Sequence, residues 1–347
     1  LLAKQMEKKA AKTGAKALDK SVLKARTMIN MDSEDEGVAT VSCAGGLRVQ
    51  FTKEIKRTTV QGSLLTLKVG GLLGGHSGQD IDKERQNADL LMARMIQRLL
   101  KETKGQLVSF NGGTKDNAIP RECEASLIYE SDEEAAKAEE LACELAETYA
   151  EELTPAEPDF SCEISCETNR TAEAIPQDAA KEFICAMRLA PNGIQKRNIK
   201  MDGFVVVSLN LGVVRTEEDR IVMIFSPRSS VASLQEDTKE RLNTLAETFG
   251  FTVSHSSEYP GWSFKEDSPV REICKESYKE LFGEDLKIEA IHAGLECGLF
   301  SDAIKGLDAI AIGPTIANCH TPDEYLTLDS FERFYEFLKD ILSRLAK

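Results

Sequence analysis

Only four histidines occur in this 347-residue chain, His76, His255, His292 and His320, and three of them lie beside glycine or proline turns. An imidazole titrates near neutrality, ligates metals and can donate or accept a hydrogen bond, so a turn that presents one is a candidate site. His320 falls in the segment Gly313 to Glu324, read as a loop between an apolar strand and a final helix. Loops of that kind hold ligands, and position alone leaves both an exposed loop histidine and a metal ligand open. Asp32 follows the short apolar run Thr27-Met28-Ile29-Asn30-Met31, which places a carboxylate at the C-terminal end of a strand. Ligands gather at such ends in α/β sheets, while a turn or cap residue is the plainer reading. His76 sits in Gly70-Gly71-Leu72-Leu73-Gly74-Gly75-His76-Ser77-Gly78. The glycines permit positive φ and close backbone approach, but the segment lacks the Gly-Lys-Ser/Thr ending of a phosphate-binding loop. That leaves a structural turn, or a histidine offered to an anionic or tetrahedral oxygen.

These residues need a scaffold, and the composition allows a substantial one. Hydrophobic residues make up 41% and charged residues 29%, which is ordinary for a globular chain. Single cores stop growing at roughly 250–300 residues, so two domains are expected. The net charge of −15 repels phosphate backbones and anionic membranes, which argues against a nucleic-acid or membrane partner. No run approaches the roughly 18 apolar residues of a membrane span, and residues 1 to 26 carry eight Lys or Arg without a signal-like apolar stretch. A cytoplasmic protein is expected. Nine cysteines without a CxxC pair fit reduced thiols, with Cys162 and Cys166 packed on one face of a strand rather than binding zinc.

The patterning predicts a helix across roughly residues 1–24, then the strand that ends before Asp32. From Ser63 a β-α-β-β-α-β order follows: strand 64–69, helix 86–100, strands 107–110 and 118–129, helix 132–152 and strand 160–167. A partial echo runs through helix 178–189, strands 204–214 and 220–225, helix 233–249 and a strand at 251–255. Tyr259-Pro260-Gly261-Trp262 reads as a domain boundary. Beyond it come helix 269–282, strand 288–292, a glycine-rich turn, strand 307–312, the His320 loop and a closing helix 330–345. An α/β domain formed by residues 1–45 and 258–347, split by an inserted α+β domain at 46–257, is the simplest organisation.

Several motifs occur together in one order: Ile29-Asn30-Met31-Asp32-Ser33-Glu34, Cys43-Ala44-Gly45-Gly46, Gly74-Gly75-His76-Ser77-Gly78 and Asn111-Gly112-Gly113-Thr114 leading to Asn117-Ala118-Ile119-Pro120-Arg121. Ser208-Leu209-Asn210-Leu211-Gly212, Tyr259-Pro260-Gly261-Trp262, Ile291-His292-Ala293-Gly294-Leu295-Glu296-Cys297-Gly298 and the Gly313 to Glu324 loop continue it. This order resembles the Xaa-His dipeptidases, also called cytosol non-specific dipeptidases, within the aminoacylase and carboxypeptidase-like superfamily of di-zinc hydrolases. The resemblance implies an α/β zinc-peptidase catalytic domain, incomplete at its N-terminal side, with an inserted α+β lid that mediates dimerisation. It implies dipeptide substrates, a homodimer, and two zincs per site with manganese or cobalt as substitutes. By the same resemblance Asp32 and His320 are metal ligands, and His76 stabilises an oxyanion across the dimer. Asn117 and Arg228 hold the substrate carboxylate, and His292, Gly294 and Glu296 lie on a substrate-lining turn. The sequence departs from that pattern in one respect. No histidine precedes His76, and the family's paired glutamates fall at about positions 8 and 9, where Lys8 and Lys9 stand. A catalytically silent binding or dimerisation protein therefore stands as the alternative.

Overall fold

The computed structural model describes residues 19, 23–199, 203–318 and 322–346. The helix expected over residues 1–24, together with Lys8, Lys9 and His320, falls outside them except for residues 19, 23 and 24 of that helix. In chain order the strands and helices begin with β1 (Thr27–Asn30), β2 (Val38–Cys43), β3 (Gly45–Glu54), β4 (Thr58–Gly70), β5 (Gly75–His76), α1 (Ala88–Glu102), β6 (Gln106–Gly112) and β7 (Ala118–Ile119). They continue with β8 (Cys123–Tyr129), α2 (Asp132–Leu153), β9 (Ser161–Ala174), α3 (Gln177–Leu189), β10 (Gly193–Arg197), β11 (Val205–Thr216), β12 (Arg220–Ser229), α4 (Ala232–Thr248) and β13 (Thr252–Tyr259). The last are α5 (Pro269–Phe282), β14 (Lys287–Ile291), α6 (Glu296–Ala303), β15 (Asp308–Ala311), β16 (Ile316–Ala317), β17 (Tyr325–Leu326) and α7 (Leu328–Leu345).

Local chemistry accounts for the sharper boundaries. At α5 the Ser268 side chain accepts from Arg271 N, Pro269 supplies a pre-set φ, and Gly283 stops the helix at φ 76°. At α1 the Asn87 side chain accepts from Asp89 N at 3.0 Å and Leu90 N at 3.3 Å, and Leu91, Met92, Met95, Ile96 and Leu99 form the buried stripe. Three expectations need correction. The run 118–129 is two strands, because Pro120 withholds an N–H and interrupts the ladder. The glycine-rich turn after β14 passes into the helix α6, and strands β2 and β3 fill residues 38–54, which the patterning left unassigned.

The chain divides into two compact units, Leu1–Gly46 with Ser229–Ala232 and Tyr259–Lys347, and Leu47–Arg228 with Ser233–Glu258. In the smaller unit a four-stranded sheet has the order β1-β15-β2-β14. β1 runs parallel to β15 from Thr27↔Asp308 to Asn30↔Ala311, so both strands end at the same edge of the sheet. Buried Asp308 accepts from Ser268 Oγ at 2.6 Å and Val270 N at 2.9 Å, which fixes the start of α5 against β15. Tyr278 and Phe337 then meet edge to face at 5.2 Å, joining α5 to α7.

The larger unit is built on a nine-stranded sheet of order β13-β3-β12-β11-β6-β8-β4-β9, with β10 added to β11. β4 is the spine of one half, antiparallel to both β8 and β9, with pairing to β9 from Thr58↔Ala174 to Gly70↔Ser161. Helices α1, α2 and α3 bury their stripes in one continuous core, where Phe110 and Phe183 meet edge to face at 5.4 Å. Cys162 and Cys166 are half-buried and pack against that core, as their even spacing predicted. No helix among the described residues is long and apolar enough to cross a membrane.

One carboxyl lies wholly inside this core. Asp89 is fully buried, and desolvation pushes its pKa from an ordinary 3.8 up to about 8, against the opposing pull of the Cys123 thiol and the Arg215 guanidinium. The folded chain thus retains a proton that the unfolded chain releases, and stability falls as pH rises from about 4 through about 8. Asp89→Asn should flatten that slope and raise stability above pH 7 by on the order of 1–3 kcal/mol. Thermal denaturation of both proteins across pH 5 to 9 measures this, and parallel pH profiles would show that Asp89 is not the group responsible.

Candidate active site

The sequence-derived candidates fall into two groups, one in each unit. In the larger unit β5 pairs with β7, so that His76 lies opposite Ala118, and Ser77 N donates to Asn117 O at 2.9 Å. The His76 turn and the Asn117 loop are therefore one hydrogen-bonded piece. Within the turn, Gly78 N and Gln79 N both donate to His76 Nδ1, at 3.2 and 3.0 Å. A nitrogen that accepts cannot carry the proton, so the neutral ring is protonated on Nε2. Asp80 closes the turn, its Oδ2 accepting from His76 N at 2.8 Å and its Oδ1 from Lys83 Nζ at 2.6 Å.

Electrostatics favour the same neutral form. Burial holds His76 below its ordinary pKa of 6.5, the charge of Arg228 adds to that effect, and Asp80 partly opposes it. Arg228 is buried in β12, while Asn117 is exposed in the loop before β7. Arg228 thus lies near enough for its charge to act on His76, and the Asn117 carbonyl accepts from the residue after His76.

In the smaller unit Asp32 is exposed two residues beyond β1, and its N–H donates to Asn30 Oδ1 at 2.7 Å. The chain leaving β15 runs alongside, with Ile312 N donating to Asn30 O and Ile316 N to Glu34 O, both at 2.9 Å. Gly313 fits there because any Cβ would overlap Ser33 O. The loop that leads to position 320 is thus laced to the Asp32 segment, although His320 itself lies outside the described residues. β14 is parallel to β2, so His292 leaves the sheet at the far end from Asp32. The connection turns back: Asn30 Nδ2 donates to Cys297 Sγ at 3.4 Å, which sets the first turn of α6, with Glu296, beside the residue two before Asp32. Gly294 lies against Tyr259, and a Cβ there would come within 2.7 Å of its ring.

Among the described residues, no three His, Cys, Asp or Glu side chains form a group that could hold a metal ion. A zinc centre takes about four ligands, and Asp32 is the one implied ligand that is described, so these residues do not by themselves make such a centre. The motifs also passed over Asp80 and Asn87. Their signal was local: an Asp closing a glycine turn and an Asn just before a helical stripe.

Comparison with known proteins then bears on this geometry. Residues 113–344 match peptidase family M20/M25/M40, and residues 68–157 match a peptidase dimerisation domain. The chain belongs to this peptidase family. It is 33% identical to the cytosol non-specific dipeptidase of Escherichia coli (strain K12), covering 98% of this chain and 70% of that protein. The crystal structure of aminoacylhistidine dipeptidase from Vibrio alginolyticus superposes with a TM-score of 0.91 at 33% identity, over 95% of this chain and 67% of that one. The fold is accordingly that of an M20 peptidase, with its catalytic and dimerisation domains.

For this M20 peptidase the state of His76 can be read directly. Heteronuclear NMR of ring nitrogens should show His76 as the Nε2–H tautomer, titrating below 6.5. Asp80→Asn removes a nearby charge that favours the imidazolium and should lower that titration further; an upward movement would contradict the charge balance described.

Proposed function

We propose that this chain hydrolyses dipeptides, with aminoacyl-histidine dipeptides the first substrates to test, as a cytoplasmic homodimer that depends on zinc. The single observation that carries the reading is the His76 imidazole, whose Nδ1 accepts from two backbone amides and so leaves the neutral ring's proton on Nε2. A neutral donor can bond to a carbonyl oxygen and bond more strongly as that oxygen becomes an oxyanion. A dipeptide also carries a free carboxylate one residue from its scissile bond. Arg228 would bind that carboxylate as a bidentate donor, and the Asn117 amide would complete the contact. Orientation by those two groups limits the substrate to short peptides, since a longer chain has no carboxylate at that distance.

In this proposal Asp32 and His320 are the chain's contribution to a zinc site, with manganese or cobalt able to replace zinc. The metal would supply Lewis acidity toward the scissile carbonyl. His292, Gly294 and Glu296 would line the substrate's path, a role consistent with the contact that sets Cys297 beside Asn30. The matched dimerisation domain supports the homodimer, and the resemblance assigns His76 to act across it. The rival reading, a silent binding or dimerisation protein, rests on Lys8 and Lys9 at the positions of the family's paired glutamates.

The deciding experiment loads the purified chain with zinc, desalts it, and measures metal content beside turnover of a dipeptide panel. Bound zinc that is lost in Asp32→Ala and His320→Ala, together with dipeptide cleavage, is expected. His76→Ala should then lower kcat by about 10²–10³-fold, the usual loss for one oxyanion donor. Arg228→Ala should mainly raise KM. A chain that binds no zinc and cleaves no dipeptide would leave the binding-protein reading in its place.

A further inference from the structure

Asn210 lies in the middle of β11, where Val205 through Gly212 are all buried, and its side chain is 1% exposed. A buried amide is costly unless its hydrogen bonds are made, so its partners show what it is for. Asn210 Nδ2 donates to Ala118 O at 2.9 Å and to Asp116 O at 3.4 Å. Those are the carbonyls on either side of Asn117. Its amide nitrogen therefore holds the carbonyls of the residues immediately before and after one residue of the candidate site.

The other end of the side chain is also fixed. Asn87 Nδ2 reaches Asn210 Oδ1 at 3.5 Å and donates to Leu211 O at 2.8 Å, while Asn87 Oδ1 caps α1. The backbone is shaped for the same contact: a Cβ on Gly212 would come within 2.5 Å of Asp116 O, and Gly113, at φ +65°, has no room for one against Gly212 O. From Asn117 the connection continues, since Asn117 O accepts from Ser77 N at 2.9 Å and Ala118 pairs with His76. A helix cap, a central strand, the Asn117 loop and the His76 turn are thus joined through one buried side chain.

We infer that Asn210 is a positioning residue, which holds the Asn117 peptide and, through it, the His76 turn in the geometry the substrate meets. The inference rests on the reading of Asn117 and His76 as substrate-facing groups. Asn210 touches no substrate. Its effect reaches the reaction through a loop that is exposed at Asn117. A displacement of about an ångström is enough to cost on the order of 100-fold in rate.

The test compares Asn210→Ala and Gly212→Ala with Leu99→Ala, a cavity variant in the stripe of α1 that loses stability without touching the loop. In the zinc-loaded chain, well below each variant's Tm, the first two should raise KM for a dipeptide and lower kcat, reducing kcat/KM on the order of 10- to 100-fold. Leu99→Ala should leave both constants near wild type at a comparable loss of Tm. Ring-nitrogen NMR supplies a readout independent of turnover: Asn210→Ala should replace the single His76 Nε2–H tautomer with a mixture, and Leu99→Ala should not. If wild type cleaves no dipeptide, the functional reading fails and the ring signature alone decides the positioning role. An unchanged His76 signature in Asn210→Ala, or equal kinetic losses in all three variants, would overturn the inference.

Discussion

Two backbone amides, of Gly78 and Gln79, point at one nitrogen of His76, and much of the larger unit can be understood as the support for that arrangement. An imidazole free to rotate would exchange tautomers and take up a proton near neutral pH. With Nδ1 occupied as an acceptor and the ring partly withdrawn from water beside Arg228, protonation is opposed twice, by desolvation and by like charge. The turn that delivers those amides is closed by Asp80 and paired edge to edge with β7. A rigid sheet thus ends in a short loop whose geometry is set by backbone hydrogen bonds, a more exact constraint than packing alone provides.

The same unit buries more polarity than a core needs for stability. Asp89, Asn87 and Asn210 all lie inside, at 0%, 2% and 1% exposure. Two of them are accounted for by the hydrogen bonds that join α1, β11 and the Asn117 loop. Asp89 is different, since burial raises its pKa against the weaker opposing pull of Cys123 and Arg215. Polar groups in a core are tolerated when they specify one arrangement, and the asparagines fit that description.

The smaller unit shows how topology substitutes for sequence proximity. Asp32 and the segment after β15 are almost three hundred positions apart, yet the parallel pairing of β1 with β15 ends both strands at one edge, and hydrogen bonds then lace the two segments together. The antiparallel relation of β15 to β2 sends His292 to the other end, and the contact of Asn30 with Cys297 brings the following helix back. Which candidates share a neighbourhood is therefore a matter of strand direction.

The sequence by itself determined the ancestry, the order of the longer helices and the helix limits where capping chemistry is local. Ser268, Pro269 and Gly283 mark α5 at both ends because each acts within about one helical turn of itself. Ordered motifs also singled out His76, Asn117 and Asp32, whose residue types are needed for chemistry wherever the fold places them. What only the tertiary structure decided is everything that depends on pairing. The strands over residues 38–54 were hidden because their partners, β14, β12 and β13, lie far away in sequence. The tautomer of His76, the burial of Asp89 and the reach of Asn210 were hidden for the same reason. A hydrogen bond or a desolvation cost belongs to a pair of groups in space, and a one-dimensional pattern names the groups without saying which of them meet.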